Sequence, residues 1–430
     1  MKDENPNSPS FTQRNATKVP ILLVVGAGLA AYRSYALASM AACAPLVLLD
    51  SDPPAWTREH TTAQVRADIT DPAQLAAAVA KVADRYSVGG VTTYAEDAVH
   101  QAAYLAEALH LPGPTPEAVA VCRDKSATRR ALREAGVGSA RSELVGSQHQ
   151  AVGAAERIGY PVVVKPCRLA GSVAVRLCHD GQQVRDAFHA AASARLMSME
   201  AGGVLVEEYL DGPEISAECA IVPDGTCHLV AITRKVLGSG PGFEEAAHFV
   251  DARDPLLADE PLARTVFAAA AASGYRSGVI HIELRLPGNR HGVVEINARP
   301  AGDLIPYLVN LALGIDLARA SADIALGREP RLVPTRARAA GIRFLYPERP
   351  GVLEHLACLH PGAQWRERVV WTRHTGDQVT PPPQGTLADR LGHMVVTGPD
   401  IAACESRLDA LEADTRIRIR AHAAPNACVQ

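Results

Sequence analysis

The sequence predicts an α/β fold that passes into α+β. An N-terminal Rossmann-like parallel sheet is followed by mixed strands and helices and by a C-terminal β-rich segment. Three observations carry this expectation. The chain has 430 residues, too many for one ordinary core, so two or three domains are expected. The apolar run ILLVV (21–25) enters Gly26-Ala27-Gly28, a helical stretch follows, and PLVLLD ends on Asp50. Such a run reads as a strand buried on both faces, and the order is that of a βαβ unit. Further on, GVIHIELRLPGNRHGVVEINARP (278–300) reads as a hairpin about a Pro-Gly-Asn turn.

Composition narrows the function. Lys+Arg 43 against Asp+Glu 47 gives a net charge of -4, which argues against nucleic acid or an anionic membrane as the main partner. No apolar run reaches the roughly 18–20 residues of a membrane helix. The start, MKDENPNSPSFTQRNATK, has no apolar core and does not read as a secretory signal, so residues 1–20 are expected to be a disordered tail. The 9 Cys are scattered, with no CxxC, as expected of reduced thiols in a cytoplasmic protein. Only six residues are lysine. Where arginine has replaced lysine so widely, the remaining lysines need individual reasons, because a flexible point charge and a planar fork are not interchangeable at a phosphate site. Lys2 and Lys18 lie in the tail and Lys81 on a helix surface, which leaves Lys125, Lys165 and Lys235.

The elements follow in order. The Gly26–Gly28 turn is a partial dinucleotide fingerprint without a convincing third glycine; a plain strand-to-helix turn is the simpler reading. VGGVTTYAE is a strand ending at Glu96, DAVHQAAYLAEAL a helix, and LPGPTP (111–116) a linker. Helical segments follow, with Lys125 near a helix start. YPVVVKP is a strand carrying Lys165, and RLAGSV (168–173) a small-residue loop. There, backbone N–H groups could approach phosphate oxygens, although a tight hairpin turn would look the same. GGVLVEEYLDG and PEISAECAIV are strands, residues 304–327 are helical, and ARAAGIRFLYPERPG begins the last β-rich segment, which runs to IRIR with a loop at Pro381–Pro383.

The hairpin is the most informative segment. Pairing outward from Asn289 and Arg290 sets Glu283 beside Glu295, with His281, Glu283 and Arg285 on one face and Glu295 and Asn297 on one face. Like charges about 4.5–5.5 Å apart across a sheet are destabilising unless compensated. Two carboxylates and an amide oxygen suit Mg²⁺. A solvated face with Arg285 and Arg299 as ion-pair partners is the alternative.

With these residues in place, the sequence resembles the ATP-grasp superfamily from about 114 to 330. The resemblance rests on an ordered set: DK at 124–125, VVVKP at 162–166, the loop at 169–173, VEEYLDGPE, IELRL and EINARP. It implies an N-terminal Rossmann-like domain (21–113), an ATP-grasp domain (114–330) with a flexible lid at about 155–212, and a C-terminal α+β segment (331–430) completing the ligase fold. It implies ATP and Mg²⁺, or Mn²⁺, as cofactors. By resemblance, Lys125 and Lys165 hold ATP phosphates, and Gly171 and Ser172 form the tip of the closing loop. Glu207, Glu208, Tyr209 and Leu210 form the adenine hinge, where backbone groups and a carboxylate read the base, and Glu214 accepts a ribose hydroxyl. The metal ligands are then Glu283, Glu295 and Asn297, with Glu295 bridging two ions, and Arg299 stabilises the acyl phosphate and the tetrahedral intermediate. Taken singly, Glu207 and Glu208 read equally as a solvated strand end.

Within the superfamily the chain looks most like the L-amino acid ligases and related carboxylate–amine ligases. FEEAAH (243–248) resembles their Glu-x-x-His substrate element, carried here by Glu245 and His248, although His248 would also fit a surface loop. NARPAGD resembles their Asn-x-Arg-x-x-Gly run and sets Gly302 beside the acyl site; Ala301 and Asp303 depart from it. Asp303 is expected to read a cationic or polar side chain of the carboxyl donor, or else to pair with Arg299 or face solvent. Lys235 fits either a substrate contact or a salt bridge. The reaction implied is ATP-dependent joining of a carboxylate to an amine through an acyl phosphate, in a cytoplasmic enzyme of small-molecule substrates, with a homodimer as the expected assembly. The alternatives are a carboxylase or purine-pathway ligase, a nucleotide-dependent oxidoreductase using the 26–28 turn, and a non-catalytic ATP-binding regulator.

Overall fold

A computed structural model describes residues 20–196, 199–238, 243–360, 362–382 and 384–421. The expected tail at 1–20 lies, but for Pro20, outside the described residues, as does Pro383 of the expected loop. Where the apolar run was read, β1 (Pro20–Val25) is buried from its second residue onward and pairs in parallel with β2 (Leu46–Asp50) and β4 (Ser87–Thr92); β3 (Ala63–Arg66) extends the sheet in the order β3-β2-β1-β4. Helices α1 (Ala30–Ala41), α2 (Pro72–Arg85) and α3 (Val99–Ala108) complete the layer. Gly26 and Gly28 have φ of +78° and +66°, a conformation that favours glycine. The Asp50 carboxylate accepts the Ala27 N–H at 2.8 Å, so this acidic residue fastens the turn itself.

After α4 (Pro116–Arg123) and α5 (Lys125–Glu134), a second sheet has the order β5-β10-β6-β7, formed by β5 (Ser142–Val145), β6 (Val162–Pro166), β7 (Arg176–Cys178) and β10 (Val204–Glu208). Helices α6 (Gln148–Ile158) and α7 (Gly181–Ser193) pack their alanine-rich faces on it, and β8 (Arg195–Leu196) and β9 (Met199–Glu200) form a small ribbon.

The largest sheet has eight strands in the order β15-β14-β11-β12-β13-β16-β20-β18. They are β11 (Glu214–Ile221), β12 (Cys227–Leu237), β13 (Glu245–Asp251), β14 (Gly278–Arg285), β15 (Gly292–Asn297), β16 (Ala339–Leu345), β18 (Arg366–Trp371) and β20 (Gly392–Gly398). Helix α8 (Glu260–Ala272) covers one part, and α9 (Ile305–Leu313) with α10 (Leu317–Ala325) another. The helical stretch expected over 304–327 is formed by two helices, Gly314 ending α9 at φ +74°. A third small sheet, β19-β17-β21, joins β17 (Gly351–Cys358), β19 (Gln378–Val379) and β21 (Thr415–Arg420), and α11 (Ile401–Ala413) packs beside β16 and β20. Among the described residues the cysteines are free thiols, and no helix is long and apolar enough to cross a membrane.

Candidate functional site

The hairpin register is the expected one: Glu283 faces Glu295, and His281 faces Asn297, with a bulge after Glu283. The two carboxylates are balanced by three cations. Lys125 Nζ lies 3.2 Å from Glu295 and donates to the Leu169 carbonyl at 2.6 Å. Lys235 Nζ and His281 Nε2 each lie 3.0 Å from Glu283. The ion-pair partners are therefore not Arg285 and Arg299. Burial would raise the Glu283 carboxyl, but Lys235 and then His281 outweigh it and hold it well below its usual range. His281 Nδ1 in turn lies 3.0 Å from both oxygens of Glu218, which is fully buried and accepts from Ser216 Oγ. Burial opposes the His281 imidazolium, but Glu218 more than offsets it and the ring is pushed up to about 9.

A cleft with about 710 Å³ of empty space, part of it open to solvent, lies between the second sheet and the eight-stranded sheet. It collects Lys125, Lys165, Ser172, Glu207, Glu208, Tyr209, Leu210, Glu214, Glu283 and Glu295. Lys125 is the first residue of α5, behind an Asp124 N-cap. Lys165, near the end of β6, is 2.6 Å from Glu207, which Arg129 holds from the other side at 2.8 Å. Burial lowers the Lys165 ammonium against the pull of Glu207; burial would raise Glu207, but Arg129 and Lys165 keep it below its usual range.

Two expectations change here. Glu207 is not at a solvated strand end but buried, and its carboxylate is committed to Arg129 and Lys165 rather than open to a base. Glu208 likewise contacts Arg141 and Arg290, each at 3.2 Å. The apolar wall past the strand is Tyr209 and Phe243, with the Arg285 guanidinium 5.1 Å from the Tyr209 ring. Glu214 lies 3.7 Å from Lys235 and 3.5 Å from Arg285; burial, offset in part by Lys235, raises its carboxyl. At the loop, Gly171, Ser172 and Ala174 have positive φ. Gly171 does not line the cleft: a Cβ there would stand 2.5 Å from Leu387 of the C-terminal segment.

A second cluster adjoins the first through Lys235, which is 2.5 Å from Glu245 and so joins three carboxylates in a salt bridge. His248 is not in a surface loop but fully buried in β13, 3.2 Å from Glu245 and 3.8 Å from Asp303. Asp303 pairs neither with Arg299 nor with solvent: Arg390 holds both its oxygens, at 2.7 and 3.0 Å. Burial opposes the Asp303 charge, but Arg390 and then His248 hold it well below the usual range. Glu245, His248 and Asp303 bring ligand atoms within 4.8 Å of one another. The two carboxylates there already have cationic partners in Lys235 and Arg390.

Arg299 and Asn297 are buried. Arg299 lines a neighbouring cavity rather than the cleft and binds Glu96, at the end of the N-terminal sheet, at 2.5 Å. Burial opposes its charge, yet Glu96, with Glu295 and Glu283 nearby, raises it. Gly302 is next to this segment, with open space where a Cβ would stand. Sequence reasoning missed Arg129, Glu218, Arg390 and Glu96. Arg129 and Arg390 are two arginines among many, and Glu96 and Arg390 meet partners 203 and 87 residues away. A signal for Glu218 existed in the alternation of ISAECAI, which sets a carboxylate on an otherwise small or apolar strand.

An ATP-grasp domain family matches residues 158–306, an ATP-grasp N-terminal domain residues 44–113, and the L-amino acid ligase C-terminal domain 2 residues 343–420. An uncharacterised protein of Sinorhizobium fredii is 29% identical over 84% of this chain and 75% of its own length. The alanine–anticapsin ligase of Bacillus subtilis is 29% identical over 57% of the chain, which spans 56% of that protein. The crystal structure of the L-amino acid ligase from Bacillus licheniformis superposes with a TM-score of 0.80 at 22% identity, over 94% of this chain and 99% of that one. The chain belongs to the ATP-grasp superfamily of enzymes, in the branch that carries the L-amino acid ligase C-terminal domain.

Proposed function

We propose that the protein joins the carboxylate of an amino acid to an amine through an acyl phosphate, releasing ADP and phosphate, as in dipeptide or natural-product amide synthesis. What supports this most is one arrangement: two buried lysines and a cross-strand carboxylate pair share a cleft, and Arg299 stands at the end of the same strand's exit. Alanine–anticapsin ligase, to which the chain is similar, carries a name that describes such a joining. The assignment of residues 114–330 to ATP binding, with a lid at about 155–212, belongs to the same proposal, as do a cytoplasmic setting and a homodimer.

Glu283 and Glu295 line the cleft, and with Asn297, two residues beyond Glu295 on β15, they would make an all-oxygen donor set of the kind that suits Mg²⁺. When bound, Mg²⁺ supplies charge neutralisation on the phosphates. Lys125 and Lys165 hold phosphate oxygens, while the 169–173 loop offers backbone N–H groups. Tyr209, Leu210 and Phe243 flank the base, and Glu214 accepts a ribose hydroxyl. A carboxylate oxygen of the donor attacks the γ-phosphorus, and the bond to ADP breaks. The amine then attacks the acyl carbon and gives up a proton, and phosphate leaves with the former carboxylate oxygen. Arg299, held by Glu96 and with Glu295 and Glu283 nearby, would stabilise the negative charge that develops on the acyl oxygen once the donor reaches it. Closure of the loop excludes water that would hydrolyse the acyl phosphate.

Glu245 and His248 hold the amino group of the donor. Asp303, fixed by Arg390, shapes that pocket rather than reading a side chain directly. An ADP-release screen with MgATP and amino acids, singly and in pairs, tests the reading. ADP release that needs a carboxylate and an amine together is expected; ATP turnover indifferent to every pair overturns it. The oxidoreductase alternative gains nothing from the N-terminal turn, since Asp50 is spent on fastening it.

A further inference from the structure

Arg33 differs from the other basic residues around the site. Lys125, Arg129, Lys165, Lys235, Arg299 and Arg390 each have a carboxylate within 3.2 Å. Arg33 has no ion-pair partner among the described residues. Its Nη1 donates to the Ala301 carbonyl at 3.3 Å, and its guanidinium lies 5.3 Å from the Tyr94 ring centre. Burial depresses its pKa, Tyr35 works against this, and the positive charge of Arg299 adds to it. The charge of Asp303 also supports it, but from beyond ion-pair distance; an arginine stays protonated all the same, so this is a standing cation with no carboxylate in contact among the described residues.

Its position gives that cation a use. In the order β3-β2-β1-β4, the chain leaves β1 for β2 on one side and returns to β4 on the other. Open α/β sheets bind ligands at the carboxyl ends of the strands flanking such a reversal. Arg33 lies in the first turns of α1, just after β1; Tyr94 and Glu96 lie just after β4, and Glu96 holds Arg299. The bond to Ala301 ties Arg33 to the segment between Arg299 and Asp303.

We propose that Arg33 binds the carboxylate of the amine-donating substrate, so that this substrate is itself an amino acid. The inference rests on the ligase reading above and names the residue that selects its second substrate. An arginine fork matches a carboxylate, and a charge-assisted pair of this kind is about twice as strong as a neutral hydrogen bond. An α-amine is two bonds from its carboxylate carbon, so anchoring at Arg33 keeps the nucleophile close to an acyl carbon beside Arg299. The N-terminal sheet thereby supplies an acceptor site, and the Gly26–Gly28 turn serves to aim α1 rather than to bind a nucleotide.

The test uses the full chain with MgATP, the L-amino acids as acceptors, and the same amino acids as C-terminal amides. Wild-type protein is expected to prefer the free acid by about tenfold or more in kcat/KM. In Arg33→Gln the preference disappears through a rise in acceptor KM, while the KM for ATP stays within about twofold; Arg33→Lys recovers part of it. A wild type that uses amides as well as acids, or an Arg33→Gln variant that keeps the preference, overturns the proposal. Thermal melting with the same compounds separates this from failure of the ligase reading. Stabilisation of the wild type by acids and not amides, lost in Arg33→Gln, sustains the anion site even if no pair elicits ADP. Absence of that difference removes it.

Discussion

Glu295 and Glu207 are both buried or nearly buried carboxylates held by lysine, yet their surroundings assign them different work. Glu295 has one cationic partner and a face on the cleft; Glu207 lies between two cations with little surface left. Glu295→Gln is expected to lower turnover at least about a hundredfold, comparable to losing one strong electrostatic stabiliser. The like-charge pair taken alone would favour a variant that melts higher in metal-free buffer. Lys125 compensates Glu295, so the melting temperature should instead stay level or fall slightly; near wild-type turnover would remove the metal-ligand role. Arg129→Met leaves Lys165 and Glu207 in an incomplete buried network and is expected to cost about 3–5 kcal/mol in urea unfolding. His393 offers a pH test. It is fully buried, stacks on Tyr32, and has no hydrogen-bond partner for either ring nitrogen among the described residues. Burial and then Arg368 lower it from near 6.5 to about 3. It must therefore stay neutral in the fold while the unfolded chain takes up a proton, so its contribution is present above pH 6.5 and is lost as pH falls toward 3. Relative to wild type, His393→Phe should gain about 2–3 kcal/mol between pH 7.5 and pH 4.5; a pH-independent difference would contradict this. Scarcity of lysine pointed to Lys125, Lys165 and Lys235, and all three stand at the site. The scarcity could not tell that Lys235 bridges carboxylates.

Legibility at the element scale followed how local the signal was. The hairpin could be read to its cross-strand pair because alternation and a Pro-Gly-Asn turn both lie within a short stretch. β1, with its buried run, was equally plain. β12 and β13 were not. Their strands carry Arg234, Lys235, Glu245 and His248, polar residues that read as loop until partners on β11, β14 and β16 are present. Residues 304–327 read as one helical stretch because only Gly314, Ile315 and Asp316 separate α9 from α10. The 169–173 loop was recognised, but its contact with Leu387 was not, since that residue is over 200 positions away. Gly171→Ala would both strain a φ of +66° and press on Leu387. The αL strain alone is about 1–2 kcal/mol. If the closed loop is what grips ATP, the KM for ATP should rise about fivefold or more with a melting temperature within a few degrees of wild type. An unchanged KM would show that the loop does not grip ATP.

At the scale of the molecule, the two clusters and the N-terminal sheet form one connected system. Lys235 links the cleft to Glu245, Arg390 fastens Asp303 from the C-terminal segment, and Glu96 and Arg33 reach Arg299 and Ala301 from the first sheet. These links join residues far apart in sequence and therefore leave no local pattern, which is why the order of motifs was legible and the way they lock together was not. In the proposed reaction the donor carboxylate is activated by phosphoryl transfer. This activation is tested most directly by supplying the donor identified in the screen with its carboxylate labelled with ¹⁸O and analysing every product by mass spectrometry. One labelled oxygen in inorganic phosphate, with ADP and amide formed in equal amounts, is the predicted result. Label in AMP, or phosphate without label alongside the amide, would contradict it.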